Sequence, residues 1–267
     1  MLRGMYAAAT ALEAATQHQE ILAQNLAHAT TPGYRARGVV YESFDHALGK
    51  VSPPGDINGT RVAEVYSEFR GGALQTTGHP YDFAIENDGF FVLTSPSGPV
   101  YTRNGSFRVT PQGQLVSHDG YPVQSTIGAV NVPPGATLSV ARDGSIEADG
   151  TNIGRLRLVR FAQPQQLTIA GPTLFKAPAN VAPQPLETGV LQGYREASNV
   201  SPAQAMVELI TIVEGFYACG VAASVYCAQD PTGSVIPDAV FSNIGKLLLA
   251  TKIYDMHKLA HYVSGGL

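Results

Sequence analysis

From Met5 to Leu26, apolar side chains recur at alternating three- and four-residue steps: Met5, Ala8, Leu12, Ala15, Leu22 and Leu26, interrupted at Gln19. That stepping predicts one long helix with a heptad-like seam. Ala7, Ala9, Ala11 and Ala14 surround the seam with small side chains, so a neighbouring helix can approach closely. The helix stops sharply, because Pro32 biases Thr31 away from helical dihedrals and Gly33 turns the chain at no Cβ cost. Residues 35–44 then alternate loosely, and 51–60 (VSPPGDINGT) form a Pro/Gly/Asn-rich connector. Beyond Arg61 the period changes. Short apolar runs are separated by Asp88-Gly89, Asn104-Gly105, Asp119-Gly120, Asp143-Gly144 and Asp149-Gly150, pairs that favour tight turns with positive φ. Strands are predicted at 82–86, 90–94, 106–110, 114–117, 137–141 and 155–161. The 106–110 run alternates cleanly, with Phe107 and Val109 opposite Arg108. The 155–161 run slips by one at Val159, predicting either a bulge or a strand covered on both faces.

A second Pro-rich connector spans 177–192. Ser201-Pro202-Ala203-Gln204 then supplies a helix start, with Ser as cap and Pro at the first helical position. Met206, Leu209, Val213, Phe216, Gly220, Ala223 and Cys227 repeat the three-four stepping until Pro231 and Gly233. A further helical segment follows at about 238–262. The pattern thus predicts an α+β chain whose long N- and C-terminal helices pair as a coiled-coil-like stalk, with a central, mainly antiparallel β-domain. The expected division is an N-terminal helix and extended segment at 1–50, a linker at 51–60 and the β-domain at 61–180. A connector at 181–200 and a C-terminal helical region at 201–267 complete it.

Composition adjusts this picture in one respect. Charged residues are 14% of the 267, against roughly 25% for soluble domains, so some surface is uncharged or covered by a partner. The net charge of −4 excludes a clustered Lys/Arg nucleic-acid footprint. Arg3 is the one early basic residue and Glu13 interrupts the apolar run, so no cleavable signal peptide is expected. No run reaches the length of a membrane span. Cys219 and Cys227, eight apart on one helix, are separated by roughly 12 Å of rise, too far for a disulfide.

Catalytic signals are poor. His257 and His261 share one helical face with Asp255 nearby, but the general-base Glu of a zinc-protease motif is missing. A solvated helix face is the better reading. Asp82, Glu86 and Asp88 offer carboxylates, yet Asp88 sits in a turn signal and the chain has no Trp to stack a sugar. Three Asn-x-Ser/Thr matches begin at Asn58, Asn104 and Asn199. Nucleophile-elbow, P-loop and dinucleotide fingerprints are absent. The sequence therefore predicts no catalytic residue, no cofactor site and no metal site.

Three blocks carry a resemblance. Asn25-Leu26-Ala27-His28-Ala29-Thr30-Thr31-Pro32-Gly33-Tyr34 resembles the NLAN…TPGY signature of bacterial flagellar rod and hook proteins. Gly72-Ala73-Leu74, Asp82-Phe83-Ala84-Ile85, Gly89-Phe90-Phe91-Val92 and Tyr101-Thr102-Arg103-Asn104-Gly105-Ser106-Phe107 resemble that family's central block. Gln192-Gly193 and Glu196-Ala197-Ser198-Asn199-Val200 resemble its block before the last helix. Length and the 154–159 strand look most like the family's proximal and distal rod proteins. The resemblance implies a non-enzymatic subunit exported by the flagellar apparatus without a cleaved signal, stacking helically into a hollow drive shaft. It implies rod and hook subunits and the export apparatus as partners, in the basal body, with no nucleic acid, small-molecule substrate or membrane-embedded part. Assembly contacts are then expected at Met5, Leu12, Leu22, Asn25, Leu26, Thr31, Pro32, Gly33 and Tyr34, and at Ser198, Asn199, Met206, Leu209, Val213 and Phe216. His28 departs from the usual second Asn, and beyond Tyr217 Gly220, Pro231, Gly233 and Pro237 break a helix that the family normally continues. A hook or hook-associated subunit is the rival of the same class, and a secreted β-sandwich hydrolase the rival of another.

Overall fold

The structure, a computed structural model, describes residues 2–43, 59–186 and 189–228. It is predominantly β. Helix α1 (Leu2–Ala27) leads into β1 (Arg37–Ser43), β2 (Thr60–Ser67), β3 (Leu74–Thr76), β4 (Phe83–Ile85), β5 (Phe90–Ser95) and β6 (Gly98–Thr102). Next come β7 (Arg108–Val109), β8 (Leu115–Val116), β9 (Gln124–Ser125), β10 (Gly128–Ala129), β11 (Leu138–Val140), β12 (Ser145–Ala148), β13 (Thr151–Arg155) and β14 (Leu158–Arg160). After a 3₁₀ turn at Pro164–Gln166 follow β15 (Thr168–Ile169), β16 (Leu174–Lys176), β17 (Gln184–Leu186), β18 (Val190–Gln192), β19 (Tyr194–Glu196) and α2 (Pro202–Ala228).

The expected fold class is overturned here. Two helices stand against many small sheets, and the coiled-coil stalk of paired terminal helices is not found among the described residues. The side chains give the reason. Along α1 the buried positions are Ala7, Ala14, Leu22 and Asn25, while Leu12 and Leu26 of the expected seam are only half-buried. Early in α2 the buried residue is Ala205, whereas Met206, Val207 and Ile210 are exposed. A seam needs one apolar stripe, and α2 is apolar nearly all round. Hydrogen bonds from α1 run to the β1–β2 ribbon: the Tyr41 hydroxyl lies 2.8 Å from His18 Nδ1, and Thr60 N donates to Thr10 Oγ1 at 3.2 Å. The helical segment at 238–262, with His257 and His261, and the state of Cys219 and Cys227 lie outside the described residues and side chains.

The chain divides into two compact units, one of residues 1–22, 39–64 and 206–267 and one of 23–38 and 65–205. The second unit is built on a six-stranded sheet of order β15-β16-β6-β5-β14-β17, every neighbouring pair antiparallel. Both faces of this sheet are covered. Phe91, Leu93, Val100 and Leu158 face one cluster with Phe83, Phe107 and Leu115. Phe90, Val92, Tyr101 and Val159 face another with Phe161 and Phe175. Val159 therefore slips out of alternation because both faces are apolar, not because the strand bulges. A register shift does occur two elements earlier, between Ile146 and Glu147 of β12 in the β11-β12-β13 sheet.

The turn dipeptides divide by role. Gly120, Gly144 and Gly150 adopt φ of 85°, 86° and 78°, as tight turns require. Gly105 does not, yet a Cβ there would lie 1.7 Å from the Phe83 carbonyl oxygen. It is a packing glycine. No helix among the described residues is long and apolar enough to cross a membrane.

Candidate functional site

The three segments singled out in the sequence converge, within the second unit, on one buried polar junction. Its centre is Glu196, at the end of β19 and 1% exposed. Arg35 Nη2 and Gly72 N donate to its Oε1 at 2.6 and 2.8 Å, and Arg103 Nε donates to its Oε2 at 2.7 Å. Arg35 and Arg103 are themselves 2% and 5% exposed. Removing three charges from water is costly, so the short charge-assisted bonds are what make the arrangement tenable. Arg103 Nη1 also donates to the carbonyls of Asn87 and Gly89 at 2.7 and 2.8 Å. Burial pushes the Arg103 guanidinium below its usual range, with the Glu196 charge opposing and the Arg35 charge adding to the drop. Arg35 Nε and Nη1 find no partner among the described residues, which adds to the cost.

Around this centre, side-chain amides stand in for peptide groups. Asn25, in the last turn of α1, accepts from Arg37 N at 2.9 Å and donates to Arg37 O at 2.7 Å. Its Oδ1 also takes the Tyr34 hydroxyl at 3.0 Å. Asn199 does the same work from the other end of the chain: Oδ1 accepts from Ala36 N at 2.6 Å, and Nδ2 donates to Glu68 O and Arg70 O at 2.8 and 3.0 Å. Gln192 accepts from Val140 N at 2.9 Å and donates to the carbonyls of Pro80 and Leu138, both at 2.8 Å. An amide supplies an acceptor and two donors on separate atoms, whereas a carboxylate only accepts and a hydroxyl has a single oxygen and one proton to give.

The bend at 28–34 fits the chain into this site. Thr31 N donates to His28 O at 3.0 Å, and the His28 ring stacks on Tyr34 at 4.9 Å. Gly33, at φ 68°, donates to Glu196 O at 2.8 Å. A Cβ on Gly33 would sit 2.3 Å from Asn104 N, and one on Gly72 would sit 1.9 Å from Ala197 O. Tyr34 is fully buried, and burial raises its phenol pKa against the opposing pull of Arg37. Ser198 Oγ accepts from Val200 N at 3.2 Å, and Ser201 Oγ from Gln204 N at 3.4 Å, ahead of α2.

Of the residues expected at assembly contacts, the structure thus brings Asn25, Thr31, Gly33, Tyr34 and Asn199 into the junction, with Pro32 and Ser198 half-buried beside it. Leu12, Leu22 and Leu26 lie along α1; Met206 is exposed on α2, with Leu209 and Val213 half-buried. The side chains of Met5 and Phe216 lie outside the described set. Sequence reasoning missed Arg35, Arg103 and Glu196 as site residues. The signal was present: in a chain this poor in charge, three ionisable residues sit inside or directly beside the signature blocks. Among the described residues no group of His, Cys, Asp and Glu could hold a metal ion.

Residues 84–150 match the family described as flagellar hook protein FlgE/F/G D1 domain. That stretch holds β5 and β6 of the six-stranded sheet and Arg103 of the junction, and the relatives that span most of the chain are flagellar structural proteins. A rod protein FlgF of Mesorhizobium japonicum is 32% identical over 81% of this chain and 90% of its own length. FlgG of Buchnera aphidicola subsp. Schizaphis graminum is 30% identical over 79% and 90%, and FlgF of Salmonella typhimurium 34% over 78% and 88%. The chain belongs to the flagellar basal-body rod protein family, a structural subunit of the basal body with other rod and hook subunits as its partners. Residues 191–267 also match the family described as 4-hydroxyphenylacetate 3-hydroxylase C terminal. The described part of that stretch is β18, β19 and α2, which supply the junction's Glu196 and Asn199, so it lends no support to a hydroxylase.

Proposed function

We propose that the chain self-assembles helically as a subunit of the hollow drive shaft between motor and hook, and that it catalyses no reaction. The observation that supports this is the junction: its polar groups are spent on one another and on remote backbone, tying the root of α1 and the approach to α2 to the β-sheet unit. That is the architecture of a part that transmits load. The residues at 1–50 and 201–267 carry the apolar polymer contacts and 61–180 supplies the β-domain, with 51–60 and 181–200 connecting them. Met5, Leu12, Leu22, Leu26, Met206, Leu209, Val213 and Phe216 contribute apolar area, each worth roughly 1.5–3 kcal/mol when fully buried, against at most about 1 kcal/mol for an exposed ion pair. Asn25, Thr31–Tyr34, Ser198 and Asn199 hold the bases of those segments in place. The flagellar export apparatus delivers the chain without cleaving a signal, and neither nucleic acid nor a small-molecule substrate is involved. The test compares the full chain with residues 23–205 expressed alone, the span that holds the whole second unit. The fragment stays monomeric and out of purified basal bodies; a fragment that enters the rod without either end refutes the assignment of polymer contacts.

A further inference from the structure

Residues 71–78 read Gly-Gly-Ala-Leu-Gln-Thr-Thr-Gly, with no charge and no proline. Strand β3 lies within this run, all three of its residues are exposed, and Leu74 is 42% exposed. Its partner is β19 in a two-stranded sheet, leaving the other edge open among the described residues. The bonding pattern says which groups face that edge. Ala197 N donates to Ala73 O and Thr77 N to Gly193 O, both at 2.8 Å. Antiparallel alternation by two then turns Gln75 toward β19 and sends the N–H and C=O groups of Leu74 and Thr76 outward. Proteins normally blunt such an edge with Lys, Pro or a bulge. Here none is present.

At the start of β3 the edge opens into a depression of about 270 Å³, where Gly71, Gly72 and Leu74 face Asp88, Arg103 and Glu196. Arg103 uses Nε and Nη1 inside the junction, and its Nη2 has no partner among the described residues. Asp88 is exposed, and its charge acts on Arg103. Glu196 is already shared between Arg35 and Arg103, so Asp88 balances the surplus cation. Glu86 also lines the depression and pairs with Arg142 at 3.8 Å. Glu86, Asp88 and Glu196 are thus balanced by Arg35, Arg103 and Arg142, and a cationic donor beside a carboxylate acceptor matches a peptide group better than a charged ligand.

We propose that the outer edge of β3 pairs with an extended segment of a second copy of this chain, the depression holding the end of that segment between Arg103 and Asp88. The proposal rests on the polymer reading above: the edge contact adds to those of the terminal segments and does not hold copies together without them. Within the chain the matching segment is β2, which is largely exposed, is paired only with β1 among the described residues, and displays Val65 and Tyr66 at 39% and 44% exposure. Pairing β3 of one copy with β2 of the next joins two different surfaces, which propagates a filament, whereas β3 against β3 would close a dimer.

The test uses the full chain and the variants Leu74→Pro and Thr76→Pro, which delete outward N–H groups that the monomer leaves unpaired. Both variants keep the parent's monomer melting temperature and lose sedimenting polymer. In the parent, amide exchange at Leu74 and Thr76 slows about tenfold or more on assembly. Folded proline variants that polymerise like the parent, or unchanged exchange at both amides, overturn the edge assignment while leaving the rod reading intact. A parent chain that neither polymerises nor enters basal bodies overturns both. Should one variant fail to fold, the exchange measurement on the parent decides alone.

Discussion

Glu196 takes hydrogen bonds from two guanidinium groups and one backbone N–H, and the nearest of these residues in sequence is Arg103. Glu196→Gln preserves the shape and removes the charge, leaving two buried cations uncompensated. It should lower the unfolding free energy by about 3–5 kcal/mol in urea titrations; an unchanged midpoint would show that the junction does not hold the unit together. Gly105→Ala should cost about 1–3 kcal/mol in the same assay, because the added methyl overlaps the Phe83 carbonyl. His18 carries a pH effect. It faces Tyr41 from β1 and Glu208 from α2, and burial lowers its pKa from 6.5 while Glu208 pulls the other way. The folded state therefore binds fewer protons than the unfolded state just below pH 6.5. The stability from neutral His18 is complete above that pH and is lost as the pH falls toward the folded value. A proton-NMR titration should place the His18 midpoint below 6.5, and His18→Gln should flatten stability over that window. A midpoint above 6.5 reverses the sign and contradicts the account.

At the scale of elements, local pattern was informative and remote constraint was not. The runs at 90–94 and 137–141 appear as β5 at Phe90–Ser95 and β11 at Leu138–Val140, since a strand's alternation and its flanking turns are local. Asn104-Gly105 reads as a turn from its dipeptide, but what demands glycine there is a carbonyl more than twenty residues away in the sequence, on β4. The seam residues misled for a related reason. Periodicity shows that a helix has an apolar side without showing what covers it, and α1 spends contacts on the β1–β2 ribbon. In β14 the two faces can be tested separately. Leu158→Ala should cost about 2–5 kcal/mol, and Val159→Thr, which puts a hydroxyl into the opposite cluster, about 1–3 kcal/mol. If either change is neutral, that face of the sheet is not packed as described.

For the molecule as a whole, scarcity of charge was the most informative property in the sequence, and its meaning depends on scale. Inside the second unit, the few buried charges are gathered at Arg35, Arg103 and Glu196, where segments remote in sequence meet. On the outside, Val40, Tyr41, Val65, Tyr66, Met206, Val207 and Ile210 remain exposed in the single chain. Isolated exposed apolar residues are ordinary, but this many on a subunit from a rod-protein family are expected to be covered by neighbouring copies. The blocks that placed the chain in its family were legible because each meets a backbone demand: Gly33 a positive φ, Asn25 and Asn199 a donor and acceptor aimed at remote backbone. Polymer contacts leave no comparable mark within one chain. The most direct test is to purify basal bodies from cells carrying the tagged full chain and to locate it by quantitative mass spectrometry and immunogold labelling. The account predicts many copies per basal body, with the label on the rod between motor and hook. An expressed, folded chain absent from purified basal bodies would contradict it.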